Sequence, residues 1–279
     1  HKDIFSNLNN AETTNTDGVQ KFLKGGIEIE DLTGLNASGA DIVSWNWTAN
    51  SGTTTSNSNG AITSTVQANQ LSGFSIVQWT GDGGQTTVGH GLSSTPTIVI
   101  QKDLDSTSDW WLYTTAFDGS YDYFKLNKYD TKTDYAQTAP TSTVFTSHGW
   151  GSTRLIGYCF HPVAGYSRFG RYTGNANVNG TFIYTGFKVR WLMHKANNGA
   201  GWYIYDTVRN ENNPLLFPLF ANTTATESTN VYGIDFLSNG FKLRQPSGYG
   251  GNYSGVDVFF LAFAEHPFIG DGTSPVTAR

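Results

Sequence analysis

The sequence is short of charge. Asp, Glu, Lys and Arg supply only 14% of its residues, and the net charge is -5 at neutral pH. That is well below the usual quarter of charged residues, and it offers no basic surface for a nucleic-acid backbone. There is a single cysteine, Cys159, so no internal disulfide can form. It sits in the apolar run Leu155–Phe160, where a thiol behaves as a small buried hydrophobe rather than a nucleophile. No apolar run approaches the roughly 20 residues a membrane helix needs, so membrane insertion is not expected. No signal-peptide pattern is visible. No stretch of Ala, Leu, Glu and Lys recurs at helical spacing.

Aromatics, by contrast, reach 14%, and much of the remaining sequence is Gly, Ser, Thr and Asn. Strand-forming aromatic and β-branched residues broken by turn formers predict an all-β protein. At 279 residues the chain can bury a substantial core, and its length alone suggests two domains.

The strongest pattern is internal. Gln78–Thr115 resembles Arg171–Thr207: Trp79-Thr80-Gly81 answers Tyr172-Thr173-Gly174, Ile98-Val99-Ile100 answers Trp191-Leu192-Met193, and Lys102 answers Lys195. Trp110-Trp111-Leu112-Tyr113 answers Trp202-Tyr203-Ile204-Tyr205. Spaced matches of this kind indicate one supersecondary unit used more than once. A Phe-x-x-x-Gly-aromatic motif, read as strand, tight turn and strand, occurs at Phe145–Trp150 and Phe236–Phe241 and in related form at Phe22–Ile27. Apolar closing strands follow at Ile42–Trp47, Leu155–Phe160 and Val256–Phe263. The expected organisation is therefore the back half of a truncated unit at 1–48, a Ser/Thr/Asn/Gly-rich linker at 49–72 with a weak edge strand from Ala61, full units at 73–162 and 163–268, and a tail at 269–279. The missing half of the first unit is expected upstream in a longer gene product. Tandem β-sandwich or jelly-roll units from an internal duplication are the predicted fold. Large groups alternate on both faces of Trp110–Thr115, which predicts a strand with a packed layer on each side.

Signals for catalysis are weak. Glu28 and Glu30 share a strand face, but position 32 is Leu, so the carboxylate ladder of a jelly-roll glycosidase is incomplete. Asp103, Asp105 and Asp109 are spaced like the start of a calcium loop, yet Ser108 stands where such a loop needs glycine and Thr114 where it needs glutamate. The histidines His90, His148, His161, His194 and His266 do not make metal-ligand spacings. Neither a nucleophile elbow nor a phosphate-binding glycine loop is present. No catalytic residue, metal or cofactor is predicted.

The surplus aromatics remain. Aromatic faces suit pyranose rings, whose C–H groups gather on one side. Aromatics matched between the two units read mainly as framework. The stretch at 121–135 has no counterpart, and a loop outside the shared pattern is the better place for binding. The candidate ligand-binding residues are Tyr121, Tyr123, Tyr129 and Tyr135, with Trp111 and Tyr203 from the matched strands.

The segments Tyr172–Asn175, Phe182–Phe187, Trp202–Asn210, Asp235–Arg244 and Ala262–Phe268, with the ending Pro275–Arg279, resemble a domain family repeated in virion proteins of marine bacteriophages, mostly of cyanobacteria and other ocean bacteria. The resemblance runs from about residue 40 onward. It implies a concanavalin-like sandwich in a tail-fibre, tail-tip or capsid-appendage protein of the virion, and it carries no catalytic residues with it. The expected role is structural and adhesive, with other virion proteins or a host surface glycan as partners and a homo-oligomer, a trimer in the usual fibre symmetry, as the assembly. A capsid cement protein and a tail-associated polysaccharide depolymerase are the alternatives.

Overall fold

The structure is a computed structural model that describes residues 2–23, 26–50, 52–227, 233–246 and 250–266; the expected tail at 269–279 lies outside them. The N-terminal part carries β1 (Lys2–Asp3), β2 (Thr13–Thr14), β3 (Val19–Leu23), β4 (Gly26–Ile29) and one short helix, α1 (Thr33–Asn36). Next come β5 (Thr55–Asn57), β6 (Ser64–Asn69), β7 (Phe74–Thr80), β8 (Thr87–Gly89), β9 (Ile98–Asp103), β10 (Trp111–Thr114), β11 (Asp122–Lys125), β12 (Thr133–Asp134), β13 (Val144–Thr146) and β14 (Arg154–Phe160). The last part holds β15 (Ser167–Thr173), β16 (Phe182–Tyr184), β17 (Val189–Ala196), β18 (Trp202–Asp206), β19 (Leu219–Phe220), β20 (Ile234–Leu237), β21 (Gly240–Leu243) and β22 (Asp257–Ala264). The protein is predominantly β-strand and is built in several sheets, as its composition predicts.

Two large antiparallel sheets dominate. One is eight-stranded, in the order β12-β11-β10-β9-β14-β7-β6-β5; the other is five-stranded, β15-β22-β17-β18-β19. The sequence matches fall into the same register in both. Tyr113 pairs with Val99 and Tyr205 with Leu192. Cys159 pairs with Val99 and Ala262 with Leu192. Each large sheet has a smaller one on its outer face, β13-β8 for the first and β16-β21-β20 for the second.

The strands' period of two sorts side chains between cores. In β22, Val258, Phe260 and Ala262 pack under the small three-stranded sheet, whereas Phe259, Leu261 and Phe263 turn to the opposite side. In β14, Leu155 and Cys159 face their own small sheet while Tyr158 and Phe160 face away. The faces turned away meet in one shared core. Phe160 lies 6.1 Å from Phe169 and 6.2 Å from Phe263, ring centre to ring centre, and Phe124 lies 5.7 Å from Trp202. The expectation that Trp110–Thr115 has a packed layer on each side therefore holds: Trp110 and Leu112 enter the shared core, and Trp111 and Tyr113 the outer one. Cys159 is fully buried, and burial pushes its thiol up to about 12, which removes the nucleophilic thiolate at neutral pH.

Four sequence expectations change. The strand expected after Ala61 is present as β6, but it lies inside the sheet beside β7, and the expected linker half of 49–72 supplies the edge strand β5. Its small polar side chains carry little apolar signal, but a ladder needs only backbone donors and acceptors. Ile42–Trp47 is not a strand. In the large sheets the closing strands β14 and β22 each lie between two neighbours, and 42–47 has no such flanks. Trp45 and Trp47 instead cap the shared core, Trp47 lying 5.3 Å from Trp191 and 5.5 Å from Phe263. The third change concerns the turn motif. Phe236 pairs with Phe241 across the β20–β21 hairpin, and Phe22 pairs with Ile27 across β3–β4. Phe145 instead pairs with Val88, in the place Phe241 takes opposite Ile183. The fourth is that 121–135 is not a simple loop, since β11 and β12 within it extend the sheet beyond β10.

Candidate functional site

An aromatic strip lies on the outer face of the eight-stranded sheet. Strand alternation places Trp111 and Tyr113 on one face of β10, and the β10–β11 register sets Tyr123 opposite Tyr113 and diagonal to Trp111. Such diagonal pairs lie within reach of aromatic side chains, and the Trp111 and Tyr123 ring centres are 4.9 Å apart. Tyr135 follows β12 and meets Tyr123 edge-on at 5.8 Å. From the loop after β13, His148 lies over Trp111 at 3.8 Å and Trp150 stands 4.5 Å beyond it. Gly149 between them has φ 81°, a left-handed turn that glycine adopts without strain.

The strip is anchored from beneath. Tyr113 is fully buried and its hydroxyl bonds His148 Nδ1. Gln101 Oε1 accepts the His148 backbone N–H at 3.1 Å, and Trp150 Nε1 donates to Ser108 Oγ at 3.1 Å. Burial and the nearby Lys125 charge push His148 down to about 4, while burial raises the Tyr113 phenol. At neutral pH, then, Tyr113 donates and a neutral His148 accepts. Polar groups border the rings. Gln85 Nε2 donates to the Tyr135 hydroxyl at 2.5 Å, and Lys125 Nζ sits 4.8 Å from the Trp111 ring centre while paired with Asp109 at 3.1 Å. Trp111, Tyr123, Tyr135, His148 and Trp150 all remain partly exposed.

The strip stays partly open because its cover is narrow. The small sheet over this side has two strands, and β10, β11 and β12 run on to the far end of the large sheet. On the five-stranded sheet the cover has a third strand, β20, and Leu215, Ile234 and Phe236 share one core with Tyr203 and Tyr205, both of which are buried. His194 lies beneath them, fully buried, accepting the Tyr172 hydroxyl at Nδ1 over 2.9 Å and held down to about 3 by burial.

Of the sequence-predicted residues, Trp111, Tyr123 and Tyr135 come together in the strip. Tyr121 is 2% exposed and stacks beneath it on Tyr113 at 5.0 Å. Tyr203 is buried in the other outer core. Tyr129 is 63% exposed but lies over Gly201 of the second sheet's turn. His148, Trp150 and Gln85 were not singled out as ligand-binding by sequence. The signal available for the first two was the turn motif, read there as framework. The three acids of the calcium-like loop are otherwise engaged: Asp103 accepts from Ser106 and Thr153, Asp105 pairs with Arg154, and Asp109 with Lys125 and Lys128. Among the described residues, no cluster of three His, Cys, Asp or Glu side chains is placed to hold a metal ion.

One family profile, described as Domain of unknown function (DUF7483), matches residues 1–267. The chain belongs to that family. No curated protein and no solved structure matches it. The matched range covers the N-terminal part as well as the two large sheets.

His148 and His194 make stability depend on pH. Both are neutral when folded, with values depressed below the ordinary 6.5. Above pH 6.5 neither folded nor unfolded chain binds these protons. As pH falls from 6.5 toward 4 the unfolded chain takes them up first, so folding stability is lost. Urea midpoints measured from pH 7.5 to pH 4.5 are expected to fall, and less steeply in His194→Gln. Parallel profiles for parent and variant would contradict this.

Proposed function

We propose that this chain is a non-enzymatic adhesion module of a bacteriophage virion, in a tail fibre or capsid appendage, and that the strip Trp150–His148–Trp111–Tyr123–Tyr135 holds a host surface glycan. The observation that carries the binding assignment is the contrast between the outer faces of the two large sheets. One keeps a continuous set of partly exposed rings bordered by hydrogen-bonding groups, while the other is closed by an additional strand. A row of ring faces with polar groups beside it suits successive sugar rings, which stack through C–H faces and hydrogen-bond through hydroxyls. The virion assignment rests on the sequence resemblance. We further read each large sheet and its cover as one concanavalin-like sandwich arising by internal duplication. The shared order β11-β10-β9-β14-β7 against β19-β18-β17-β22-β15 supports that reading.

A glycan array with a parallel reducing-sugar assay tests the proposal. Retained binding without new reducing ends is the expected result. Turnover without lasting binding would favour the depolymerase reading, and binding to purified capsids with no glycan bound would favour a cement protein. Trimeric assembly belongs to the same proposal; sedimentation equilibrium is expected to give three chains, and a monomer across the micromolar range would remove it.

A further inference from the structure

We infer that the β3–β4 hairpin is a docking surface for a β-strand of another polypeptide, one with the alternation of β16. The hairpin β20–β21 shows how such a hairpin is completed. It has the register of β3–β4: Phe236 opposite Phe241 and Leu237 opposite Gly240, as Phe22 is opposite Ile27 and Leu23 opposite Gly26. On β20–β21 the outer edge of β21 is occupied by β16, with Tyr184 against Gly240, Ile183 against Phe241 and Phe182 against Lys242. Among the described residues the strand β4 has no such neighbour in its two-stranded sheet, so its outer edge offers a row of backbone donors and acceptors that no described strand takes up.

Two further observations identify what the edge receives. A β-carbon built on Gly240 would lie 2.1 Å from the Ile183 carbonyl oxygen, so glycine is required there by the approaching strand; one built on Gly26 meets nothing within 4 Å. Gly26 thus stands at the place where a strand would need it, with nothing there now that does. The side chains agree. Phe236 is 3% exposed because its face of the hairpin packs into the core over the five-stranded sheet, but Phe22, in the matching place, is 81% exposed and presents an uncovered apolar face. A groove of about 680 Å³ lined by Ile4, Phe5, Val19, Phe22, Leu32 and Leu35 adjoins it. The fitting partner is an extended segment with a central aliphatic residue turned onto Phe22 and Ile27, flanked by aromatic or polar residues facing away, as Ile183 is flanked by Phe182 and Tyr184. Strand addition of this kind draws affinity from the backbone ladder and selectivity from alternate side chains.

The test uses a fluorescent peptide with the sequence of residues 180–188 and the intact chain, followed by polarisation. Saturable binding is expected, at least tenfold weaker to Gly26→Val, whose side chain obstructs the edge, and to Phe22→Asp, which removes the apolar seat. Both positions are exposed, so the variants should keep the parent's circular dichroism; if one does not, the other carries the comparison. A scrambled peptide should stay free. No saturable binding to the parent, or binding to both folded variants as tight as to the parent, would overturn the inference. Self-association of the chain that disappears in Phe22→Asp would overturn it too, by assigning the face to a second copy. None of these outcomes depends on whether the aromatic strip binds glycan.

Discussion

Replacing Trp202 with alanine is expected to cost about 3–5 kcal/mol of folding stability and to lower the melting of both large sheets together. Trp202 is fully buried, and it belongs to the core that the two sheets share. Its ring meets Phe124 of the first sheet at 5.7 Å and Phe259 of the second at 6.2 Å. Lys195 Nζ stands 5.4 Å from its centre. Its Nε1 donates to the Lys125 carbonyl at 3.2 Å, so the deletion leaves a cavity and also removes a hydrogen bond between the sheets. The matched Trp110 makes the same kind of bond to the Phe5 carbonyl at 2.8 Å, which ties the N-terminal part into the arrangement. For a chain of this size the midpoint should fall by roughly 10 °C, with tryptophan fluorescence and far-UV circular dichroism reporting one transition. Two separated transitions, or a change below about 1 kcal/mol, would show that the sheets do not fold on a common core.

Much of that arrangement was legible in the residues. The matching of Val99 with Leu192 and of Tyr113 with Tyr205 in the sequence became equal registers in the structure, because a strand held between two neighbours cannot slip by one residue without turning its core side chains outward. Matches in the small sheets were less secure. Phe145 shares the local motif of Phe236 yet takes the pairing of Phe241, since a short motif specifies a turn, not the strand that meets it. The segment Ile42–Trp47 has the composition of a strand and no ladder. Propensity alone could not reveal that its neighbours are missing, because pairing is a property of partners.

The site divides the same way. The unmatched tyrosines led to Tyr123 and Tyr135, and strand alternation put Trp111 beside them. Alternation also sends Tyr121 to the sheet's outer face with Tyr123, but whether a side chain on that face reaches solvent depends on the width of the covering sheet, which the local sequence does not disclose. Tyr203 was lost to the same cause: it matches Trp111 in register, and an additional covering strand buries it. His148 reached the site through a turn whose register the motif had misplaced.

The double variant Trp111→Ala/Tyr123→Ala is expected to weaken glycan binding about a hundredfold, which corresponds to about 2.7 kcal/mol. Each ring is partly exposed, so truncation should cost far less stability than at Trp202, and the melting temperature should move by only a few degrees. Aromatic contacts contribute about 0.5–1.5 kcal/mol each beyond the area they bury, and losing the area itself supplies the rest. Trp111 also orders the strip, since His148 rests on it at 3.8 Å and Lys125 lies above it; Trp111→Phe should therefore retain more affinity than Trp111→Ala. Tyr203→Phe serves as the control on the covered face and should leave binding unchanged. Titration calorimetry against the best array ligand, with parent and variants at matched folding, separates the possibilities. If the double variant binds as tightly as the parent, the strip is framework and the proposed binding site is wrong. If Tyr203→Phe alone abolishes binding, the second sheet must open in solution, and the difference in cover between the two faces would lose its meaning for function.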